Sequence, residues 1–575
     1  MNFNEEYRRW LESDALCADE KKELTSIMGN GDTVEFRFSS PMSFGTAGLR
    51  STMYMGVACM NRFTVAQTTR GIAALVKKSR GENRGVVIAY DSRNNSELFA
   101  KVSACVLAGA NIKVYIFNGI RPTPELSFAV RELGTVAGIN ITASHNPKEY
   151  NGYKAYWEDG AQITPEQAKI VSTEREKFDV LDVSGIADFD SAVADGLITL
   201  LDESFDEKYI SAVLETAINP DIVREVANEL KVVYTPLHGA GYKLVPEVFR
   251  RIGLEHLFTV DSQMVPDGNF PTVEKPNPEY AAVFKEGIVI ADNVGSDLVI
   301  ATDPDSDRVG VVTRNADGVF ETVTGNQMGA LLLDYVIRQK KERGILPSGA
   351  YCVKSLVSTD MAYAIAKKHG VVLHDVLTGF KFIGEVIKNY EMQGKKDGFL
   401  LGFEESYGYL FGSYARDKDA VGASMIILEM TAFYKKLGMT LSDALRELYK
   451  VYGYYLERTV DIYMEGLDGI EKRRRVMSSL RENPPKKIGG LKVVAIGDYS
   501  KGTVVNLENG MVESTGQPGS DVLYYTLETD DKVIIRPSGT EPKIKIYVLL
   551  HDADREALER KASLCEADAR RLAEV

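Results

Sequence analysis

Residues 297–308 read DLVIATDPDSDR, an apolar run followed at once by three aspartates at alternate positions. The run has the length and composition of a buried strand, and the acidic loop begins where that strand ends. Ligand-binding loops of open α/β sheets follow the carboxyl ends of strands. This stretch therefore predicts an α/β sheet with a functional loop at its edge.

Three parts of the chain each contain a trio of such strands. The strands are predicted at 85–90, 113–117 and 136–141, at 231–236, 256–260 and 297–302, and at 350–355, 371–376 and 398–403. A polar loop follows the third strand of each trio: TASHNP at 142–147, DPDSDR at 303–308 and EESYG at 404–408. Amphipathic runs such as 96–109 predict helices between the strands. The pattern indicates three copies of one α/β unit.

The last part of the chain has a different pattern. The turn-rich stretch NPPKKIGG (483–490) suits a domain junction, and strands are predicted after it at 491–497, 522–528, 532–537 and 543–550, with a helix from about residue 552. We expect a smaller α+β domain here. The segment 263–280 holds four prolines, which predicts an extended loop that packs along another domain.

Length and composition narrow the classes of protein. The chain has 575 residues, enough for about four domains. Its formal net charge of −14 argues against general binding to nucleic acid or anionic membranes. The five cysteines are far apart and form no C-x-x-C pair, which is typical of a reducing cytoplasm. No apolar run reaches the roughly 18 residues of a membrane span, and no signal sequence is expected.

The three aspartates suggest a metal site. Because they alternate after a strand end, the carboxylates of Asp303, Asp305 and Asp307 can converge on one hard cation such as Mg²⁺. An EF-hand calcium loop begins in the same way but requires Gly and Glu where this chain has Arg308 and Arg314. A solvated acidic turn is the alternative. We favour a catalytic metal, since three acidic ligands leave coordination positions open for a phosphate.

Ser144 is the candidate nucleophile of the first polar loop. The hydrolase pattern G-x-S-x-G is absent. Neighbouring side chains on an extended backbone point apart, so His145 is expected to be poorly placed as a base for Ser144. A phosphate carrier is the interpretation we favour for Ser144. The alternatives are a turn serine, a structural histidine and, for Lys154, a surface lysine.

Two further loops offer groups that suit a sugar phosphate. Glu404 and Ser406 of EESYG provide acceptors for vicinal hydroxyls, with a helix cap as the alternative. The loop RPSGTEP offers a guanidinium, hydroxyls and backbone N–H groups to one phosphate, with a polar hairpin as the alternative; its candidate residues are Arg536, Ser538, Gly539 and Thr540. Lys418 adds a positive charge that suits a sugar phosphate.

Together these motifs resemble, in the same order, those of the phosphoglucomutase/phosphomannomutase family of the α-D-phosphohexomutase superfamily. FGTAGLR (44–50) is similar to the family's arginine loop, LTGFKFIG (377–384) to its specificity loop and DGNFP…PNPE (267–279) to its proline-rich connector. The resemblance implies an α/β fold: three similar α/β domains with mixed sheets and a smaller C-terminal α+β domain around a central cleft. We expect these domains at 1–205, 206–322, 323–455 and 456–575.

The resemblance also implies a bacterial-type mutase. Such an enzyme interconverts α-D-glucose 1-phosphate and glucose 6-phosphate through a phosphoserine, with Mg²⁺ as cofactor and glucose 1,6-bisphosphate as primer and intermediate. A pentose or mannose phosphate as substrate, or a catalytically silent sugar-phosphate sensor, are the alternatives. We expect sugar phosphates as partners, no nucleic acid or membrane, a cytoplasmic location, and a monomer or weak homodimer.

Residue roles follow from the same resemblance. Ser144 resembles the phosphorylated serine, whose phosphate is a further metal ligand. Arg50 and Arg308 would neutralise the transferring phosphoryl group, and Lys154 and His145 would handle hydroxyl protons. The residues implied in sugar and phosphate binding are Thr378, Gly379, Glu404, Ser406, Lys418, Arg536, Ser538, Gly539 and Thr540. Phe403 and Tyr407 depart from the glucose-preferring pattern, whereas RDKD at 416–419 resembles glucose-specific members.

Overall fold

The computed structural model describes residues 2–45, 48–464, 467–517, 519–538 and 543–573. They form two compact units. The first unit comprises Met1–Val323, Gly384–Asp397 and Tyr407–Gly438, and the second comprises Thr324–Ile383, Gly398–Ser406 and Met439–Val575. The division into two units does not test the four domain ranges expected from the sequence, which stay a prediction.

The first sheet contains the first predicted trio of strands. In spatial order its strands are Leu49–Thr52, Tyr150–Trp157, Ala137–Ile141, Val86–Tyr90, Val114–Phe117 and Ile198–Leu201. The trio is parallel and lies at the centre, with the third strand beside the first and the first beside the second. Val86–Tyr90 is buried along its whole length, because helices cover a parallel sheet on both faces. Tyr150–Trp157 returns antiparallel beside the third strand.

The same arrangement recurs in the two later trios. In spatial order, the strands of the second sheet are Phe320–Val323, Val309–Arg314, Leu298–Thr302, Lys231–Thr235 and His256–Thr259. As in the first sheet, the strand that follows the trio in sequence, here Val309–Arg314, lies antiparallel beside the third strand of the trio. In the second unit, Val372–Val376, Tyr351–Ser355 and Phe399–Glu404 lie side by side and parallel. The predicted threefold repeat of an α/β unit is confirmed.

Helices flank these sheets. Up to residue 323 the α-helices are Phe3–Glu12, Ala18–Ser26, Gly31–Phe38, Arg62–Lys78, Ser96–Gly109, Thr123–Glu132, Pro165–Arg175, Phe189–Ala194, Glu203–Leu214, Asp221–Glu225, Gly241–Ile252, Asp261–Met264 and Lys285–Val294. After it come Gly325–Glu342, Met361–His369, Phe380–Met392, Ala420–Lys436 and Leu441–Tyr452, with a short strand at Gly408–Leu410. Short 3₁₀ turns lie at Ala281–Phe284, before residue 323, and at Lys396–Gly398, after it. Among the described residues, no helix is both long and apolar enough to cross a bilayer.

The C-terminal sheet is antiparallel. In spatial order its strands are Tyr454–Tyr463, Lys543–Asp552, Lys532–Pro537, Leu523–Leu527, Leu491–Asp498, Thr503–Asn506 and Val512–Ser514, with helices Leu467–Glu482 and Arg555–Leu572. The prediction of a domain junction at 483–490 is wrong. Lys487–Ile488 forms a hairpin with Leu491–Asp498, so the prolines and glycines shape a turn within the domain. The expected smaller α+β domain is confirmed.

Two features of the first unit lie outside its sheets: the N-terminal helices and the proline-rich loop. The three N-terminal helices, which the sequence did not predict, enclose Trp10, whose ring makes edge contacts with Phe38 and Phe63. The proline-rich loop packs along the first sheet's domain as predicted. Gly268 lies so close to Asn94 that a Cβ would meet its backbone nitrogen at 2.3 Å, which leaves room for glycine alone.

Candidate active site

Each polar loop that follows a trio turns at one residue with a left-handed backbone. The φ angle is 51° at Ser144, 52° at Ser306 and 66° at Tyr407. Residues other than glycine rarely adopt this conformation, and where they do, functional sites are over-represented. The three loops therefore share a bend as well as a place in the fold.

Ser144 lies in contact with the aspartates of the second sheet. Its Oγ donates a hydrogen bond to Oδ2 of Asp303 at 2.6 Å. The residue is 3% exposed, and its backbone N–H donates to Oγ1 of Thr142 at 2.8 Å. The fold thus brings together the hydroxyl and the acidic loop, which are 159 positions apart in the chain.

His145 lies closer to the serine hydroxyl than the sequence predicted. Its Nδ1 is 3.0 Å from Oγ of Ser144. The expectation that the two side chains point apart assumed an extended backbone and is wrong, because the left-handed φ of Ser144 turns both to one side. Burial, together with the charges of Arg308 and Arg50, lowers the pKa of His145 well below its ordinary value. These surroundings therefore favour the neutral form of the imidazole.

The aspartate triad (Asp303, Asp305 and Asp307) is buried and convergent. One carboxylate oxygen of each lies within 4.8 Å of the others. Oδ1 of Asp305 and Oδ1 of Asp307 have no hydrogen-bond partner among the described residues. Buried carboxylate oxygens without partners are costly unless a cation holds them, and oxygen ligands suit hard divalent cations. The residues fit a divalent metal ion, in contrast to the alternative of a solvated acidic turn.

Two lysines approach the triad. Nζ of Lys154 lies 2.8 Å from Oδ2 of Asp305 and 3.4 Å from Oδ2 of Asp307. Nζ of Lys418 lies 3.2 Å from the same oxygen of Asp307 and 2.9 Å from Oδ1 of Asp417. Lys154 is 6% exposed, so the alternative of a surface lysine is excluded.

These contacts shift the pKa values of Asp303 and Asp305 in opposite directions. Burial would raise the pKa of Asp305, but the ammonium of Lys154 outweighs it and holds that pKa below its usual range. Burial would lower the pKa of Lys154, but the two aspartates raise it. Asp303 faces Ser144 instead of a lysine, and its pKa is raised by burial and by the neighbouring carboxylates.

The two predicted arginines lie beside these loops. Arg50 stands on Leu49–Thr52, and its Nη1 donates to Oδ1 of Asn146 in the serine loop at 2.8 Å. Arg308 follows the triad directly, and its guanidinium contacts the carboxylate of Glu279. Both cations are therefore within the same unit as the serine and the triad.

The sequence interpretation missed Arg93. This buried guanidinium donates to four backbone carbonyls around the serine loop, those of Ser144, Asn146, Pro147 and Tyr150. The sequence interpretation also missed Thr123, whose Oγ1 donates to Oδ2 of Asp305 at 2.7 Å. Both lie in segments that follow strand ends, the signal that identified the other loops, but a single polar residue there did not form a motif.

In the second unit the predicted sugar-binding residues come together. The carboxylate of Glu404 accepts a hydrogen bond from the backbone N–H of Gly379 at 2.7 Å. Thr378 and Ser406 are half-buried in the two loops so joined. A short strand, Gly408–Leu410, follows EESYG, so the alternative of a helix cap is excluded.

The predicted phosphate loop lies at one end of the C-terminal sheet. Arg536 is the next-to-last residue of the strand Lys532–Pro537, and its Nη1 donates to the hydroxyl of Tyr547 at 3.1 Å. The N–H of Ser538 donates to the carbonyl of Lys543 at 2.9 Å. Gly539 and Thr540 lie outside the described residues.

Comparison with family models supports this arrangement. Residues 41–179, 207–318 and 324–452 match, in order, the alpha/beta/alpha domains I, II and III of phosphoglucomutase/phosphomannomutase. The chain is 36% identical to phosphoglucomutase of Staphylococcus aureus strain MRSA252, an alignment that covers 91% of this chain and 92% of that protein. Phosphoglucomutase of strain USA300 is also 36% identical, over 89% of this chain and 90% of its own.

Solved structures share the fold. The open form of the exocytosis-sensitive phosphoprotein pp63/parafusin, a phosphoglucomutase from Paramecium, gives a TM-score of 0.66 at 18% identity and covers 93% of this chain and 96% of its own. A phosphoglucomutase/phosphomannomutase family protein from Burkholderia thailandensis gives a TM-score of 0.64 at 18% identity, over 92% and 96%.

Proposed function

The chain belongs to the phosphoglucomutase/phosphomannomutase family, and from that premise we propose that Ser144 carries the phosphoryl group in an interconversion of glucose 1-phosphate and glucose 6-phosphate. The chain is an enzyme, an isomerase of the phosphoglucomutase type. One observation carries the residue assignment: the hydroxyl of Ser144 lies 2.6 Å from a carboxylate of the aspartate triad.

The proposed first step is transfer from phosphoserine to sugar. The bond between phosphorus and Oγ of Ser144 breaks as a bond forms to the 6-hydroxyl oxygen of glucose 1-phosphate, which yields glucose 1,6-bisphosphate. The hydroxyl proton leaves the sugar, and the serine oxygen gains one when it is released. We assign these proton transfers to Lys154 and His145. The support is that Nδ1 of His145 is 3.0 Å from Oγ of Ser144 and that Lys154 contacts the triad beside it.

The second step reverses the first on the other end of the sugar. The bisphosphate turns end for end, its 1-phosphoryl group returns to Ser144, and glucose 6-phosphate leaves. Phosphoryl transfer depends mainly on positioning and on neutralisation of charge. We assign neutralisation to Arg50 and Arg308, whose guanidinium groups are held by Asn146 and Glu279.

We propose Mg²⁺ as the ion held by Asp303, Asp305 and Asp307. When bound, it would supply positive charge to the phosphoryl oxygens. The support is the donor set: three buried carboxylates, two of which have an oxygen without a hydrogen-bond partner among the described residues. Another protein of similar fold, the N-acetylphosphoglucosamine mutase of Aspergillus fumigatus, has a crystal structure in complex with GlcNAc-6P and magnesium.

The second unit is assigned to recognition of the sugar phosphate. We propose that Thr378, Gly379, Glu404 and Ser406 bind hydroxyls and that Arg536 and Ser538 bind the phosphate that is not transferred. For Lys418, which lies in the first unit beside the aspartate triad, we propose a separate role as a positive charge for the phosphate. We further propose a cytoplasmic location, in keeping with five cysteines that form no disulfide. The expected monomer or weak homodimer and the absence of nucleic-acid or membrane partners stay predictions.

The test is a coupled assay of purified enzyme with glucose, mannose and ribose 1-phosphates, each with its bisphosphate primer. We expect the highest kcat/KM with glucose 1-phosphate. A higher kcat/KM with the mannose or ribose compound would overturn the glucose assignment. Absence of turnover with every substrate would overturn the proposed function.

A further inference from the structure

The sugar-binding loop (Leu377, Thr378 and Gly379) is held at both ends. At one end the N–H of Gly379 donates to Glu404 at 2.7 Å. At the other, the N–H of Leu377 donates to Oε1 of Gln517 at 2.8 Å, and Nε2 of Gln517 donates to the carbonyl of Asp375 at 2.8 Å. The amide of Gln517 therefore pairs with two backbone groups two residues apart, as a neighbouring strand would.

The backbone groups that Gln517 meets belong to a strand edge. Val372–Val376 is the outer strand of its parallel set, and its inner side pairs with Tyr351–Ser355. The carbonyl of Val376 accepts from the N–H of Leu356 on that inner side at 2.8 Å. Backbone groups of successive residues alternate in direction, so the groups of residues 375 and 377 face outward. Gln517 thus bonds to the outer edge of Val372–Val376, where no further strand pairs in the part of the chain that the structure describes.

Gln517 comes from the C-terminal sheet. Its segment joins Val512–Ser514 to Leu523–Leu527 and is anchored at both flanks: the N–H of Thr515 donates to Gly502 at 3.0 Å and the N–H of Gly519 donates to Tyr499 at 2.8 Å. Because both flanks are bonded to the sheet, the amide of Gln517 is presented from a fixed support.

Apolar packing joins the same two elements. The buried side chain of Leu377 belongs to one cluster with Val522, Ile534 and Tyr547 of the C-terminal sheet. Tyr547 in turn accepts the hydrogen bond of Arg536. The backbone that carries Thr378 is thus supported by the sheet that also carries the candidate phosphate arginine.

We propose that Gln517 is a positioning residue for substrate recognition: it fixes the backbone at Asp375–Leu377 and so sets Thr378 and Gly379 for the sugar. This inference rests on the proposed function of the sugar-binding loop. Gln517 acts through that loop and is not a catalytic residue. Its loss should therefore affect recognition of the sugar more than the chemical step.

The experiment compares Gln517→Ala and Gln517→Glu with the control Asn509→Ala. Asn509 lies in a turn of the same sheet and accepts a bond from the nearby Met511 N–H. Glutamate retains the acceptor for Leu377 but cannot donate to the carbonyl of Asp375. Hydrogen exchange of residues 373–383 is measured by mass spectrometry, and KM and kcat are measured with glucose 1-phosphate and mannose 1-phosphate.

For Gln517→Ala, which removes both bonds, we expect faster exchange in residues 373–383, a KM for glucose 1-phosphate raised about tenfold, a smaller change in kcat, and a lower glucose-to-mannose ratio of kcat/KM. For Gln517→Glu, which retains the acceptor for the N–H of Leu377, we expect smaller changes in the same directions. A merely structural role would lower kcat equally for both sugars and leave KM unchanged, which would overturn the inference. Unchanged exchange and kinetics in active variants would also overturn it. An inactive wild-type enzyme would instead overturn the proposed function on which it rests.

Discussion

Oγ of Ser144 lies 2.6 Å from Oδ2 of Asp303, although the two residues belong to loops of different sheets. This hydrogen bond places a hydroxyl at the edge of three buried carboxylates. A phosphoryl group on Ser144 would add further oxygen ligands beside them. The relationship links the candidate carrier and the candidate metal site in one arrangement.

Replacement of the carrier should abolish phosphorylation. For Ser144→Ala we expect no phosphate after incubation with glucose 1,6-bisphosphate and a kcat lower by at least about a thousandfold, because the group that forms the covalent intermediate is lost. Intact mass and the coupled assay measure both. Ser26→Ala, in an N-terminal helix, should behave as wild type. Full turnover by Ser144→Ala would contradict the carrier role.

Removal of one charge from the triad should weaken metal binding. For Asp305→Asn we expect Mg²⁺ affinity to fall at least about tenfold and kcat to fall by orders of magnitude, since an amide oxygen is a poorer ligand for a hard cation. Calorimetric titration of Mg²⁺ and the Mg²⁺ dependence of kcat measure this. The exposed Asp317→Asn is the matched control. An unchanged kcat in excess Mg²⁺ would count against the site.

Arg93 should be needed for the shape of the serine loop. Arg93→Lys cannot reach four carbonyls with one ammonium, so we expect a loss of about 3 kcal/mol of unfolding free energy and slower phosphorylation of Ser144. Thermal unfolding and the rate of mass increase with bisphosphate measure the two effects. Arg8→Lys, at an exposed position, is the control. If Arg93→Lys and Arg8→Lys are phosphorylated at the same rate, Arg93 is not needed for the shape of the serine loop.

Gly379 should resist substitution for conformational reasons. Its φ is +119°, while a Cβ there would meet no atom closer than 3.8 Å. Gly379→Ala should therefore strain the backbone of the sugar-binding loop by about 1–2 kcal/mol and raise KM for glucose 1-phosphate without a clash. Gly31→Ala, where φ is not positive and space is open, is the control. A KM equal to that of the control would show that the loop tolerates the change.

His551 should contribute stability that depends on pH. Its pKa is raised, chiefly by a hydrogen bond with Asp531, while burial opposes the shift. Because folding raises this pKa, the stabilisation is complete below about pH 6.5 and is lost as pH rises through the folded value. We expect His551→Gln to lower Tm at about pH 5.5 and to differ less from wild type at about pH 8.5. A constant difference in Tm would contradict this assignment.

The sequence predicted the strands of the trios because each is a short, nearly continuous apolar run. It did not predict Tyr150–Trp157, which is buried but contains Asn151 and Lys154. Those polar side chains are satisfied by partners from other loops, namely the backbone of Asn94 and the carboxylate of Asp305. Hydrophobic periodicity cannot reveal a strand whose burial depends on such distant partners.

The site was predicted where several polar residues adjoin in sequence. TASHNP and DPDSDR each contain several polar residues that can be recognised as a motif. Arg93 and Gln517 are single polar residues that bond to backbone groups. Because any sequence can supply backbone groups, the residues around Arg93 and Gln517 do not indicate these contacts. The error at His145 has a different origin. It came from the assumption of an extended backbone at Ser144, where φ is 51°.

The bend shared by Ser144, Ser306 and Tyr407 also bears on how such a protein can arise. If one ancestral segment was copied twice, its main-chain path was kept while the side chains along it diverged into a nucleophile, an acidic cluster and a hydroxyl acceptor. Diversification of this kind needs only point substitutions on an inherited scaffold. New chemistry can then be acquired without a new architecture.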